Sequence, residues 1–359
     1  GTVLPVRNVL VQVVNTDPNC FWLTSYMETA LLRAVWYPTT VATNSKEAKN
    51  IIWKSLEKTA DAPEAEIGFK MHDFGARGTT SLEAAGIGGA AHLVNFLGTD
   101  TISGILWANK YYNAGVCGFS IPASEHSTMT TWGNEPGEVD AMRNMIEKFG
   151  GEGKLFACVS DSYDIFKAVT DKWGGELKEL VMENGGTLVV RPDSGDPVDT
   201  PVKVIQLLMD KFGYTVNSKG YKVLPDYVRV IQGDGITYET IAKILRFMEW
   251  QGLSASNIAF GQGAGLLQKV DRDTMKFAMK TSAICVNGEW RDVYKQPLNQ
   301  SDKNSKRGRL ALVGGGRTLV TIREREVLSE ADNELRVVWE NGKLLVDDDF
   351  ETIRNRSNA

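Results

Sequence analysis

At 359 residues, with 42% hydrophobic and 24% charged side chains, the chain has the composition of a soluble globular protein and exceeds one average domain. A formal net charge of −5 argues against a general nucleic-acid binder, which usually shows a basic face, but leaves room for one basic pocket. No apolar stretch is long enough to cross a bilayer and no signal-peptide pattern opens the chain. The four cysteines (Cys20, Cys117, Cys158 and Cys285) lie far apart, as reduced thiols do, and a cytoplasmic location is expected.

The chain opens without Met on "GTVLPVRNVLVQVVNTDP", whose alternation over residues 1–15 predicts a strand already under way; a processed start or a lost N-terminal segment is expected. Residues 22–36 and 44–58 read as two helices, with "TVATNS" supplying a cap at Asn44 or Ser45. From about residue 66 one rhythm repeats: a short apolar run, then Gly, Asp or Ser, then an amphipathic stretch of helical length. "GFKMHDFG", "LVNFLGTD", "GVCGFSIPASEH", "KLFACVSDS", "GTLVVRPDSG" and "DYVRVIQGDG" each lead into such a stretch, and "SNIAFGQGAG" closes the series. Strands alternating with helices imply parallel pairing through right-handed crossovers. So many units favour an α/β fold with a closed or nearly closed (β/α) barrel over residues 62–270; an open doubly wound sheet is the alternative. After residue 276 the chain turns strand-like, and Asn341-Gly342 is a hairpin signal. The two ends, 1–61 and 271–359, are therefore expected to form a β-rich outer domain. The polar stretch 296–309 reads as a surface loop.

In such barrels the chemistry sits at the C-terminal ends of the strands. Those positions hold His72 and Asp73, Asp100, Glu125 and His126, Asp161, Arg191 and Asp193, Asp234, and the glycines of 261–265. Helix capping explains some of these aspartates. That six strands share the pattern, with Arg and His among them, points to a site. The "GQGAG" stretch lets backbone N–H groups approach an anion, although such a pentapeptide is also a common turn. Arg272, Lys276 and Lys280 could supply counter-charge or lie on an exposed strand. "RPDSGDP" places Arg191 and Asp193 on one side of an extended segment, as a salt bridge or as part of a site. Asp193 with Asp161 or Asp234 could hold Mg²⁺, which takes few carboxylates plus water and substrate phosphates. Of the three histidines, His92 reads as a buried residue and His72 lies near the rim. His126 is the candidate for chemistry, because the neighbouring Glu125 carboxylate could set its tautomer and basicity.

Seven motifs in order, "KMHDFGARG", "FLGTDT", "SIPASEHST", "VSDSYD", "RPDSGDPVDT", "VIQGDG" and "NIAFGQGAGLLQK…RD", resemble those of the nicotinamide phosphoribosyltransferases, and the likeness runs from "NTDPNCFWLT" to the terminal "IRN". The resemblance implies transfer of the phosphoribosyl group of phosphoribosyl pyrophosphate to nicotinamide, giving nicotinamide mononucleotide and pyrophosphate. It implies ATP as co-substrate acting through a phosphohistidine, Mg²⁺ as cofactor, and a homodimer with the active site at the subunit interface. It makes His126 the phosphorylated histidine and puts the pyridine ring between Phe74 and Arg191. Asp100 would accept a hydrogen bond from the carboxamide and repel nicotinate. Arg77, Arg272 and Lys280 would bind phosphates, with Gly233, Asp234, Gly263, Ala264 and Gly265 near the ribose and its 5′-phosphate. Asp161 and Asp193 would lie by the Mg²⁺-pyrophosphate and the ribose hydroxyls.

Three alanines depart from the family pattern. Ala264 stands where Gly is usual, Ala278 where Ser is usual and Ala76 where an aromatic residue is usual, so weakened or rearranged phosphate contacts are expected. The rival readings are a nicotinate phosphoribosyltransferase, against which Asp100 speaks, and a truncated, non-catalytic ligand-binding barrel. An aldolase-like barrel lacks a Schiff-base lysine at a strand end.

Overall fold

A computed structural model describes residues 1–298 and 304–358, apart from the side chain of Arg317; part of the polar loop 296–309 lies outside the described residues. The chain divides into two units, one of Gly1–Thr40, Tyr112–Ala114 and Asp271–Ala359, the other of Val41–Tyr111 and Gly115–Val270. The second unit thus begins inside a helix at Val41, ahead of the residue 62 expected from sequence.

The second unit is built on parallel strands β1 (Met71–Asp73), β2 (Gly98–Thr99), β3 (Leu155–Val159), β4 (Thr187–Arg191), β5 (Val228–Gln232) and β6 (Ile258–Gln262), in the order β2-β1-β6-β5-β4-β3. The edges do not stay open. Phe119 bridges to Gly98 on β2 and Ala123 bridges to Ala157 on β3, both parallel. Thr99 N donates to Phe119 O (2.9 Å) and Ala157 N to Pro122 O (2.8 Å). The segment 119–123 is therefore the remaining stave and joins both edge strands, which removes the unpaired edges of an open sheet. Pro122 lacks an N–H, which accounts for bridges in place of a full ladder there.

Strand residues pointing inward fill the barrel: Ala157, Val189 and Ile231 are buried, with Phe74, Ile121 and Ala259 packed on them. Their outward neighbours Phe156, Cys158, Leu188, Val190 and Val230 are buried as well, under helices. Both faces being covered, the strands read as continuous apolar runs. Helix α1 (Glu28–Thr59) precedes β1, and the helices that follow include α2 (Leu82–His92), α3 (Ile102–Tyr112), α4 (His126–Thr130), α5 (Asn134–Phe149), α6 (Asp199–Phe212) and α7 (Tyr238–Trp250). On α6 the buried set Val202, Ile205, Leu208, Met209 and Phe212 follows the helical period. Lys70 closes the N-terminal end of the barrel. It is buried, pairs with Glu66 (2.8 Å) and donates to the carbonyls of Ala255, Ser256 and Ile258 at 3.1–3.2 Å.

The first unit contains antiparallel pairs Ala283–Val286 with Glu289–Asp292, Leu310–Val313 with Val320–Arg323, and Trp339–Glu340 with Lys343–Leu344. Asn341 and Gly342 both take positive φ (47° and 84°), as a two-residue hairpin turn requires.

Three expectations are corrected. Residues 1–15 form no strand. Pro5 offers no N–H and Arg7 has φ 68°, so the segment reaches the 310–323 hairpin through side chains. Asn8 Nδ2 donates to Leu319 O (2.9 Å) and Gln12 Nε2 to Leu310 O (2.6 Å). The two helices expected over 22–36 and 44–58 are chiefly one, α1, which carries Pro38 inside it. Ser45 caps nothing: it is fully buried and its hydroxyl meets His92 Nδ1 at 2.7 Å.

Candidate active site

Because the staves are parallel, the loops after them open at one mouth. Phe74 follows β1; its N–H donates to Gln262 O (2.9 Å), and its ring lies over the backbone of β6. A Cβ on Gly261 would stand 1.9 Å from the ring, so only glycine admits it there. Arg191, at the end of β4, brings its guanidinium carbon to 5.4 Å from the Phe74 ring centre, a cation–π distance. A ring between the two would need roughly 7 Å, twice a van der Waals contact distance. Phe74 and Arg191 are thus brought together in mutual contact, not spaced as a sandwich. Arg191 Nη2 donates to Asp193 Oδ2 (2.8 Å), while its buried Nε has no partner among the described residues.

Asp100 is held at the end of β1: its N–H donates to Asp73 O (2.9 Å), and its Oδ1 accepts from Ser120 Oγ on the closing stave. Asp73 itself is fully buried, and burial lifts its pKa to about 6 against the N–H of Gly75, which donates to Oδ1 at 2.7 Å. It fixes the Phe74–Gly75 turn and does not reach the mouth.

His126 opens the short helix α4, and its imidazole is 46% exposed. The carboxylate that orients it is not its neighbour Glu125, whose N–H donates to Thr128 Oγ1 (3.1 Å) and caps the turn. It is Asp161, from the end of β3, whose Oδ1 lies 2.9 Å from His126 Nε2. Adjacent residues on a chain entering a helix diverge, whereas neighbouring staves deliver their first loop residues to one place. The other ring nitrogen, Nδ1, lies 4.0 Å from Asp193 Oδ2. Asp161 Oδ2 accepts from Ser194 Oγ (2.5 Å). Nothing in the sequence distinguished Ser194 or Ser120, since isolated serines in loops carry no spacing signal.

Gly233 and Asp234 follow β5, and a Cβ on Gly233 would stand 3.2 Å from both Arg191 Nε and Asp193 Oδ1, which places this loop against the same pair. Arg77 sits on the turn Ala76–Gly78, which packs on the turn Ala264–Leu267, so Arg77 and the 263–265 loop are neighbours. Arg272 and Lys280 belong to the first unit, where Arg272 pairs with Asp273 (2.6 Å) and Lys280 with Glu28 (3.5 Å).

The remaining histidines are structural. His92 is fully buried between Ser45 and the carbonyl of Gly98 (3.0 Å), and burial pushes its pKa down to about 4. His72 Nε2 lies 3.1 Å from Phe69 O, and burial lowers its pKa too. Among the described residues no group of three or more His, Cys, Asp or Glu could hold a metal ion. The two carboxylates flanking His126 fit a cation only of the kind that takes most of its ligands from substrate phosphate and water. No helix among the described residues is long and apolar enough to cross a membrane.

Comparison with known proteins identifies the family. Residues 69–343 match the model of the nicotinate phosphoribosyltransferase (NAPRTase) family. A nicotinamide phosphoribosyltransferase of Xanthomonas campestris pv. campestris is 51% identical over 364 aligned residues, covering 100% of this chain and 77% of the relative. One of Acinetobacter baylyi is 34% identical, covering 99% and 74%. One of Mycoplasma pneumoniae is 38% identical, covering 85% and 68%. A crystal structure described as nicotinate-nucleotide pyrophosphorylase from Pyrococcus furiosus superposes with a TM-score of 0.59 at 18% identity, covering 92% of this chain and 72% of that one, and so shares the fold. With the family pattern spanning most of its length and relatives aligned over nearly all of it, the chain belongs to the nicotinate phosphoribosyltransferase (NAPRTase) family.

Proposed function

We propose that the chain transfers the phosphoribosyl group of phosphoribosyl pyrophosphate to nicotinamide, releasing nicotinamide mononucleotide and pyrophosphate, and that ATP assists by phosphorylating His126. The observation that carries the choice of base is Asp100. It is an exposed carboxylate whose N–H bonds the carbonyl of Asp73, the residue before Phe74, with Oδ1 already committed to Ser120. Its other oxygen can accept from the carboxamide NH₂ of nicotinamide, whereas the carboxylate of nicotinate would meet like charge, at a cost of several kcal/mol. The names of the aligned relatives point the same way. The pyridine ring enters by parting Phe74 and Arg191.

In the transfer the pyridine nitrogen forms a bond to the ribose anomeric carbon as the bond to pyrophosphate breaks. The positive charge developing on the ribose is stabilised by nearby carboxylates, for which Asp193 and Asp234 are assigned. Gly233 and the 263–265 loop take the ribose and 5′-phosphate, and Arg77 beside that loop supplies counter-charge. Mg²⁺, held by Asp161 and Asp193 together with pyrophosphate oxygens, would neutralise the leaving group. His126 has Nε2 engaged by Asp161, so the nitrogen left to accept phosphate is Nδ1. A homodimer fits the exposed apolar side chains Leu82, Ile102, Leu106 and Val116 on and beside α2 and α3, which call for cover.

Incubation with phosphoribosyl pyrophosphate and labelled nicotinamide tests the reading. Mononucleotide and pyrophosphate are expected in equal amounts, and retention of labelled base without product would leave the binding-only barrel.

A further inference from the structure

The loop after β4 makes a contact that the mechanism above leaves unused. Ser194 Oγ donates to Asp161 Oδ2 at 2.5 Å while Asp161 Oδ1 faces His126 Nε2 at 2.9 Å, so hydroxyl, carboxylate and imidazole form one chain across three strand ends. We propose that Ser194 is a positioning residue, which acts through Asp161 to fix His126 for phosphoryl transfer from ATP. The inference rests on the phosphohistidine reading of the same site.

The backbone under Asp161 is already fixed. Ser160 N donates to Arg191 O (3.0 Å), and the buried Trp173 Nε1 donates to Ser160 Oγ (3.0 Å). What remains free is rotation of the carboxylate, whose terminal torsion is intrinsically broad. One hydrogen bond at Oδ1 does not set that plane; a second at Oδ2 does. Ser194 is in turn held by its loop. Gly195 turns the chain at φ 91°, where a Cβ would also meet Thr200 Oγ1 at 2.6 Å. Asp196 Oδ1 accepts from Val198 N and Asp199 N, each at 2.8 Å, and pins the loop to the start of α6. On the other side Arg191 draws off Asp193, leaving Nδ1 at 4.0 Å from that carboxylate and without a closer hydrogen-bond partner among the described residues.

The chemistry explains why orientation matters. The Nδ1 lone pair forms the N–P bond to the γ-phosphorus, and the bond from phosphorus to the bridging oxygen breaks with its electron pair leaving on ADP. Nε2 keeps its proton, so the ring becomes cationic as the bond forms. Asp161 Oδ1 must then lie in the ring plane at Nε2 to offset that charge. A rotated Asp161 would stabilise the cation poorly and would free the ring to turn.

The test is single-turnover incorporation of acid-labile phosphate from γ-labelled ATP into the full chain, for wild type, Ser194→Ala and Ser194→Thr, each with Asp161 intact and as Asp161→Ala. Ser194→Ala is expected to slow phosphorylation roughly 10-fold, the scale of one hydrogen bond to a charged group, with half-saturating ATP unchanged. Ser194→Thr should restore the rate, and Ser194→Ala should cost nothing further once Asp161 is Ala. A wild-type rate in Ser194→Ala, or the same loss in the Asp161→Ala background, overturns the positioning role alone. Equal loss in the Ala and Thr variants with a lowered melting temperature would make Ser194 structural and also overturns it. A wild type that turns over substrate without labelling His126 removes the phosphohistidine reading and this inference with it.

Discussion

Asp161 is almost sealed from solvent, with 3% of its side chain exposed, yet it holds the imidazole of His126, which is 46% exposed. A rigid, dry acceptor thus anchors one nitrogen of a ring whose other nitrogen faces the mouth. Such an anchor suits the role of phosphate acceptor proposed for His126, which requires the ring to meet a large substrate and return to one orientation.

The regiochemistry of phosphorylation follows. Phosphate from ATP is expected on Nδ1 of His126, giving 1-phosphohistidine, which ³¹P NMR of the denatured, alkaline-stabilised protein distinguishes from the 3-isomer. The 3-isomer would mean that the Asp161 contact breaks during the reaction. In His126→Ala, ATP stimulation should vanish while a slower transfer persists.

The proposed function makes Asp100 the residue that selects the pyridine. Asp100→Asn keeps size and an acceptor but removes the charge, and is expected to raise kcat/KM for nicotinate relative to nicotinamide by about 10- to 100-fold. An unchanged ratio would place selection elsewhere.

Gly261 sets where the Phe74 ring lies. Gly261→Ala puts a methyl 1.9 Å from that ring and must displace it. The half-saturating concentration of the pyridine substrate should rise by about 10-fold or more, while phosphorylation of His126, which does not involve Phe74, stays within about twofold. Parallel losses in both would mean that the barrel itself is damaged.

Stability between pH 7 and pH 4 is governed partly by two buried groups of opposite effect. His92 titrates near 4 when folded against about 6.5 when unfolded, so its neutral burial stabilises the fold above pH 6.5, and that contribution is lost as pH falls toward 4. Asp73 titrates near 6 when folded against about 3.9 when unfolded, so folding takes up a proton as pH falls through 6 and stability rises. Each shift is on the order of 3 kcal/mol, and together they largely cancel. Asp73→Asn should therefore steepen the loss of melting temperature between pH 6.5 and 4.5, and His92→Gln should flatten or reverse it. Identical pH profiles in both variants and wild type would show that other groups control the acid limb.

The repeating strand–helix rhythm made the barrel legible, because a stave buried on both faces is a short apolar run ended by a polar loop residue. Asp100, Asp161, Arg191 and Asp193 were legible for the same reason: they are ionisable residues within three positions of the end of such a run. What the sequence hid was cross-chain geometry. Glu125 adjoins His126 along the chain, but Asp161, distant in sequence, adjoins it in space. Ser120 and Ser194 are tied to the site by the carboxylates they bind, and a serine in a loop has no pattern of its own. The stretch "TVATNS" read as a cap between two helices, yet α1 runs straight through it. The alternation of residues 1–15 looked like a strand although Pro5 and Arg7 prevent a ladder.

Product formation from phosphoribosyl pyrophosphate, with nicotinamide and nicotinate in parallel and each with and without ATP, tests the central claim most directly. Nicotinamide mononucleotide, formed faster with ATP and with little nicotinate product, is the expected result. Preferential turnover of nicotinate, or no turnover of either base, would contradict it.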